Sequence, residues 1–112
     1  MPQNLAEKKC VPCEIGTPPF SAEKVAEYSQ SLKTAWEVRD NKKLHREFVF
    51  KDFKEAMAFV NAVAVLAESE GHHPDILIFY NKVAIELWTH ASGGLTENDF
   101  ILAAKIELLN TS

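Results

Sequence analysis

No stretch of this chain is apolar for long enough to cross a bilayer, and none concentrates lysine and arginine. The first absence argues against a membrane-spanning protein. The second, with a formal net charge of -4, removes the electrostatic footprint expected of a nucleic-acid binder, while a neutral or weakly charged small ligand stays compatible. The opening Met1-Pro2-Gln3-Asn4 lacks the basic-then-apolar order of a secretory signal, so a cytoplasmic protein is expected. Cysteine is scarce as well, being confined to Cys10-Val11-Pro12-Cys13. A structural zinc site usually takes four protein ligands, and neither a second Cys-x-x-Cys nor a nearby histidine pair completes one. A thioredoxin-like reading wants a helix directly after the motif, whereas Glu14-Ile15-Gly16-Thr17-Pro18-Pro19 follows. Residues 1–20 are therefore expected to form an irregular N-terminal arm with no chemistry of its own.

What is present fits one globular domain, residues 21–112, with a real but modest core: 46% of the 112 side chains are hydrophobic and 25% charged. Ser21 can cap a helix to about Leu32 that carries Val25, Tyr28 and Leu32 along one face. Ala35 to Arg39 and Leu44 to Phe50 flank a polar turn and read as a hairpin, with Leu44, Arg46, Phe48 and Phe50 on one side. Asp52 and Glu55 resemble a capping box for a long helix that Gly71 can stop. A second hairpin follows, Asp75 to Tyr80 and Val83 to Thr89. A turn centred on Asn81-Lys82 would pair Tyr80 with Val83, Ile76 with Leu87, Asp75 with Trp88 and His73 with His90. Thr96 can cap a last helix to about Leu109, with Asp99 at capping-box spacing. Phe59, Leu66, Ile101, Leu102, Ile106 and Leu109 exceed one apolar stripe per helix, which self-association would bury.

Three of the four histidines, His72, His73 and His90, are close in sequence. Imidazole exchanges protons near neutral pH and also binds metals, so the cluster suggests acid–base chemistry or a metal site. Pro74 biases His73 towards extended backbone, which points adjacent rings to different sides and suits an extended ligand better than a shared metal. Glu68, one helical turn before His72, could orient an imidazole or bind a ligand. The duller alternatives are a loop with one packed and one solvated ring, a solvated Glu68, and an Asp99 that only caps its helix. Trp36 and Trp88 read as packing residues, and His45 belongs to an alternating strand.

Glu68-x-x-x-His72-His73-Pro74, followed by Tyr80, His90 and Asp99, resembles the signature of the pterin-4a-carbinolamine dehydratases. The resemblance runs from about Trp36 to Leu109 and includes Phe48-x-Phe50-x-Asp52-Phe53, Tyr80-Asn81-Lys82-Val83, Thr89-His90 and Gly94-Leu95-Thr96. It implies an α+β fold of two layers, a four-stranded antiparallel sheet with three helices on one face, assembled as a homodimer or homotetramer. It further implies loss of water from a 4a-hydroxy-tetrahydropterin to give quinonoid dihydropterin, as follows aromatic amino acid hydroxylation, with no metal or organic cofactor. On this resemblance His72 and His90 are candidate general acids and His73 a pterin-binding group with service as base. Glu68, Thr89 and Asp99 are then candidates for substrate binding. Two departures stand out: Gly71 replaces a carboxylate of some relatives, and Trp88 replaces a small residue of animal relatives.

Two other functions are weighed against the dehydratase. One is a non-catalytic interaction module, because animal members of the family also act as dimerisation cofactors of a homeodomain transcription factor. The other is a small metal protein ligated by His72, His73, His90 and Glu68.

Overall fold

Ser21 sits in extended backbone and accepts a hydrogen bond from the Lys24 amide at 3.3 Å, which starts helix α1, Ala22–Ser29. Its Val25 and Tyr28 are buried, as is Leu32 just beyond it. The computed structural model describes residues 5–7, 10, 18–32, 36–40, 42–89 and 92–109. Strands β1, Glu37–Arg39, and β2, Lys43–Val49, form the first hairpin, with Asp40 in the left-handed region that a tight turn requires. Along β2, Leu44 and Phe48 are buried while Glu47 and Val49 are exposed, the alternation expected of a strand with one covered face.

Helix α2, Phe53–Glu70, starts at Asp52, whose side chain accepts from the Glu55 amide at 2.9 Å, and stops at Gly71 in left-handed conformation. Strands β3, Asp75–Phe79, and β4, Lys82–Leu87, make the second hairpin. Helix α3, Glu97–Leu109, closes the described chain. The four strands lie antiparallel in the order β1-β2-β4-β3, so β4 is central and β3 is an edge. This is a two-layer α+β fold. Leu44 and Phe48 from β2 join Val83, Ile85 and Leu87 from β4 in one core with Ala56, Phe59 and Val63 of α2 and Phe100 and Ile106 of α3. Burying such a side chain stabilises the fold by about 1.5–3 kcal/mol.

The second hairpin corrects the expected register. Its turn is centred on Tyr80-Asn81, so Phe79 pairs with Lys82, Ile76 with Ile85 and Asp75 with Glu86, in place of the Tyr80–Val83, Ile76–Leu87 and Asp75–Trp88 pairs. The physical cause lies outside the hairpin. Asn81 is tied to Phe50 twice, accepting from its amide at 2.8 Å and donating its side-chain amide to the Phe50 carbonyl at 3.1 Å, while Tyr80 takes the positive φ of 51°. Each partner shifts by two residues, so every side chain keeps its face. His90, and with it the expected His73–His90 pair, lies outside the described residues, as do Cys13 and Ala35.

A second correction concerns apolar surface. Phe59, Ile101, Leu102 and Ile106 are all buried within the chain, leaving only Leu109 of the expected surplus strongly exposed. Part of the N-terminal arm supplies the cover: Leu5–Glu7 form a 3-10 turn against α3, with Leu5 only 2% exposed. The exposed large apolar side chains instead include Leu77, Ile78, Phe79 and Tyr80 at the β3 edge, and Phe53, whose ring stacks at 6.4 Å on Tyr80.

Candidate active site

The end of α2 fixes where His72 begins. Gly71 at φ 66° lets the chain turn back, its amide reaching the Glu68 carbonyl and the His72 amide reaching that of Ala67, each at 3.3 Å. This paired closure of the last helical turn holds the His72 backbone against the helix it has just left. Thr89 is held as firmly on the far side. It bridges to Gly94, its amide donates to the Gly94 carbonyl at 2.9 Å, and its own carbonyl accepts from Ser92, Gly93 and Gly94. Gly94 must stay small, since an added Cβ would stand 2.9 Å from Pro19 Cβ.

Asp99, in the first turn of α3, joins these two points. One oxygen, Oδ1, lies 2.6 Å from His72 Nε2; the other, Oδ2, accepts from the Thr89 hydroxyl at 2.8 Å and the Thr96 amide at 2.9 Å. The Thr96 amide bond is one half of the capping box expected from Thr96-x-x-Asp99. The residue is thus both cap and histidine partner. Asp99 has no exposed surface, and Thr89 and Thr96 are 4% and 6% exposed. His72 is half-buried over them.

His73 takes a different partner. Its Nε2 lies 2.6 Å from Glu68 Oε2, and both side chains are largely exposed, 61% and 79%. Glu68 therefore orients an imidazole, although the ring is that of His73 and not of His72. The adjacent rings reach carboxylates on different helices, the divergence expected ahead of Pro74. Their surroundings also differ. The His72–Asp99 pair has lost most competing water, whereas an exposed pair such as His73–Glu68 contributes little to stability.

Cys10 runs close by. Its amide donates to Glu70 Oε1 at 2.9 Å and its thiol to the Asn98 carbonyl at 3.6 Å, beside His72 and Asp99 in sequence. Burial, followed by the negative charges of Glu70 and Asp99, pushes the thiol up to about 12. His45 and Trp36 are structural, as expected. His45 Nδ1 meets Glu86 at 2.9 Å, and Trp36 donates to Glu107 at 3.2 Å from a buried position. Trp88 is half-buried under Lys43, whose ammonium lies 5.8 Å from its ring centre. A hollow of about 340 Å³ opens at the β1–β2 end of the sheet, lined by Glu37, Arg39, His45, Arg46 and Glu47 and by none of the histidines in question. Within it Arg39 pairs with Glu37, while Arg39 and His45 also reach Glu86 on β4.

The Pterin 4 alpha carbinolamine dehydratase family model matches residues 18–109. A protein of Alkaliphilus metalliredigens named "Putative pterin-4-alpha-carbinolamine dehydratase" is 51% identical over 93% of this chain and 94% of its own. One of the same name from Nitrosomonas eutropha is 47% identical over 95% and 93%. Among solved structures, a transcriptional coactivator/pterin dehydratase from Brucella melitensis superposes with a TM-score of 0.77 at 32% identity, over 83% of this chain and 99% of that one. A pterin dehydratase-like RuBisCO assembly factor of the alpha-carboxysome gives 0.62 at 28% identity, over 71% and 94%.

Proposed function

The chain belongs to the pterin 4 alpha carbinolamine dehydratase family, and from that premise we propose that it removes water from a 4a-hydroxy-tetrahydropterin, leaving the quinonoid dihydropterin that recycles the cofactor of aromatic amino acid hydroxylases. The C4a–O and N5–H bonds break, a C4a=N5 double bond forms, and the oxygen leaves as water. The overall change is redox-neutral. Hydroxide is a poor leaving group, so an acid must deliver a proton to the 4a-oxygen while a base receives the one from N5.

His72 and His90 serve as general acids on either side of the 4a-carbon, and His73 binds the pterin and serves as base. Asp99 and Thr89, with almost no surface of their own, act on the substrate through the ring they hold, and Glu68 does so through His73. The observation that carries this reading is the half-buried His72 ring at 2.6 Å from a fully buried carboxylate. A carboxylate so placed fixes a histidine's orientation and protonation site, which proton transfer requires. The reaction as written calls on no metal or organic cofactor, and it is placed in the cytoplasm.

A direct assay of carbinolamine dehydration tests the proposal. Wild-type protein should accelerate it, and His72→Ala should lower the rate by roughly 10²–10⁴-fold. Unchanged turnover in both His72→Ala and His90→Ala would remove the assigned roles; no acceleration by the wild type would remove the function.

A second reading, a non-catalytic interaction module, is favoured by one observation: Leu77, Ile78, Phe79 and Tyr80 lie exposed along an edge strand. It predicts a wild type without turnover whose partner binding survives His72→Ala. Under the dehydratase reading the same edge is covered by a second copy of the chain, in a homodimer or a homotetramer.

A further inference from the structure

The hydrogen bonds around Asp99 run in one direction. A threonine hydroxyl has a single proton to donate, and a carboxylate only accepts. Thr89 gives its proton to Asp99 Oδ2 at 2.8 Å, so in its 2.8 Å contact with the Thr96 hydroxyl it must accept, and Thr96 must donate. The Thr96 amide fills the same Oδ2 at 2.9 Å. Oδ1 is left to accept from His72 Nε2 at 2.6 Å, which places a proton on that nitrogen. His72 Nδ1 makes no hydrogen bond to a described residue, and the His72 side chain keeps 13% of its surface exposed. Nδ1 is thus the ring nitrogen that Asp99 does not occupy.

We infer that His72 works on the substrate through Nδ1, because a one-way chain beginning at the Thr96 hydroxyl commits Nε2–H to Asp99, and that Thr96 is a positioning residue of the site. Thr96 otherwise reads only as a helix cap. The inference rests on the dehydratase reading for its substrate, but the chain makes a demand of its own on the ring. The two donors converging on Oδ2 require an acceptor there. An asparagine at this position must keep its carbonyl towards Thr89 and Thr96 and turn its amide towards His72. That amide donates to Nε2 and moves the single ring proton to Nδ1, so the ring can no longer hold both protons and give the one on Nδ1 to the 4a-oxygen while Asp99 keeps the one on Nε2.

The test combines nitrogen-15 NMR of the histidines in the full, substrate-free chain with steady-state kinetics of pterin carbinolamine dehydration. In the wild type, neutral His72 should carry its proton on Nε2. Asp99→Asn should invert that pattern and lower kcat by roughly 10²–10⁴-fold, with KM changed far less. Thr96→Val should shift the Nε2–H proton resonance and lower kcat severalfold, and Thr96→Ser should restore both. A wild-type ring protonated on Nδ1, or an Asp99→Asn ring that keeps the wild-type pattern, overturns the inference whatever the rate. A wild type with the proton on Nε2 and no turnover overturns the dehydratase reading instead.

Discussion

Cys10, held by Glu70, and the His73–Glu68 pair show how differently ionisable groups around one helix end can be treated. The Cys10 thiol is pushed from 9.0 to about 12 by burial and by the charges of Glu70 and Asp99, so at pH 8 almost none of it is the reactive thiolate. Alkylation of Cys10 should be far slower in the folded chain than in denaturant, followed by mass spectrometry of the modified peptide. The linkage sign follows from the raised value. Folded protein holds this proton more tightly, so the stabilisation is fully present below pH 9 and is lost as pH rises towards 12. Denaturant midpoints compared between wild type and Cys10→Ser should therefore converge or cross over that window, and a constant difference would remove the claim. His73 and Glu68, by contrast, stand in water at 61% and 79% exposure. Glu68→Gln should change stability by no more than about 0.5 kcal/mol, so a fall in turnover would report on the site and not on the fold.

Between elements, the turn after α2 and the ion pairs on the outer face of the sheet are separately testable. Gly71 holds φ 66° with nothing within 4 Å of an added Cβ, so Gly71→Ala meets no clash and its cost comes from the backbone alone. A loss of about 1–2 kcal/mol in urea unfolding is expected, with a smaller loss for Gly71→Asn, because asparagine visits the left-handed region more readily. Equal losses would place the cost elsewhere. On the outer face, His45, Lys43 and Arg39 converge on Glu86, and the hydrogen bond from His45 leads the effects that hold this carboxyl below its ordinary range. A depressed carboxyl stabilises above its unfolded value of 4.5, and that contribution fades as pH falls through the folded one. Glu86→Gln should accordingly narrow the stability gap to wild type below pH 4.5, read from acid titration of the circular dichroism signal. The caps at Ser21, Asp52 and Gly71 were legible in the sequence because each is a local rule satisfied within four residues. The β3–β4 register was not, because Phe50, thirty-one residues from Asn81, decides where that turn falls. In the site, Thr96-x-x-Asp99 spacing disclosed the cap, but that Asp99 also reaches His72 depends on how α3 meets the end of α2. No local pattern encodes that meeting.

For the molecule as a whole, the edge strand β3 is the feature that a single copy leaves unresolved. Among the described residues no strand pairs with its outer side, and Leu77, Ile78, Phe79 and Tyr80 are between 40% and 66% exposed. A bare apolar edge invites pairing, and natural proteins usually blunt it with charge, proline or a covering element. Here Asp75 is the only charge along β3, and no described helix or loop completes the ladder beyond it. Two copies meeting edge to edge would satisfy both ladders under a two-fold axis, since antiparallel pairing of identical strands is self-complementary. The double variant Leu77→Lys, Phe79→Lys places like charges along that seam, at positions that already face water. Its fold should survive, because neither side chain belongs to the buried core. Sedimentation equilibrium should then show a wild-type assembly and a doubly substituted monomer with the wild-type circular dichroism spectrum. If the variant keeps the wild-type mass, the edge is not the seam, and the surface around Val65 on α2 becomes the place to look, since it is 72% exposed in the single chain.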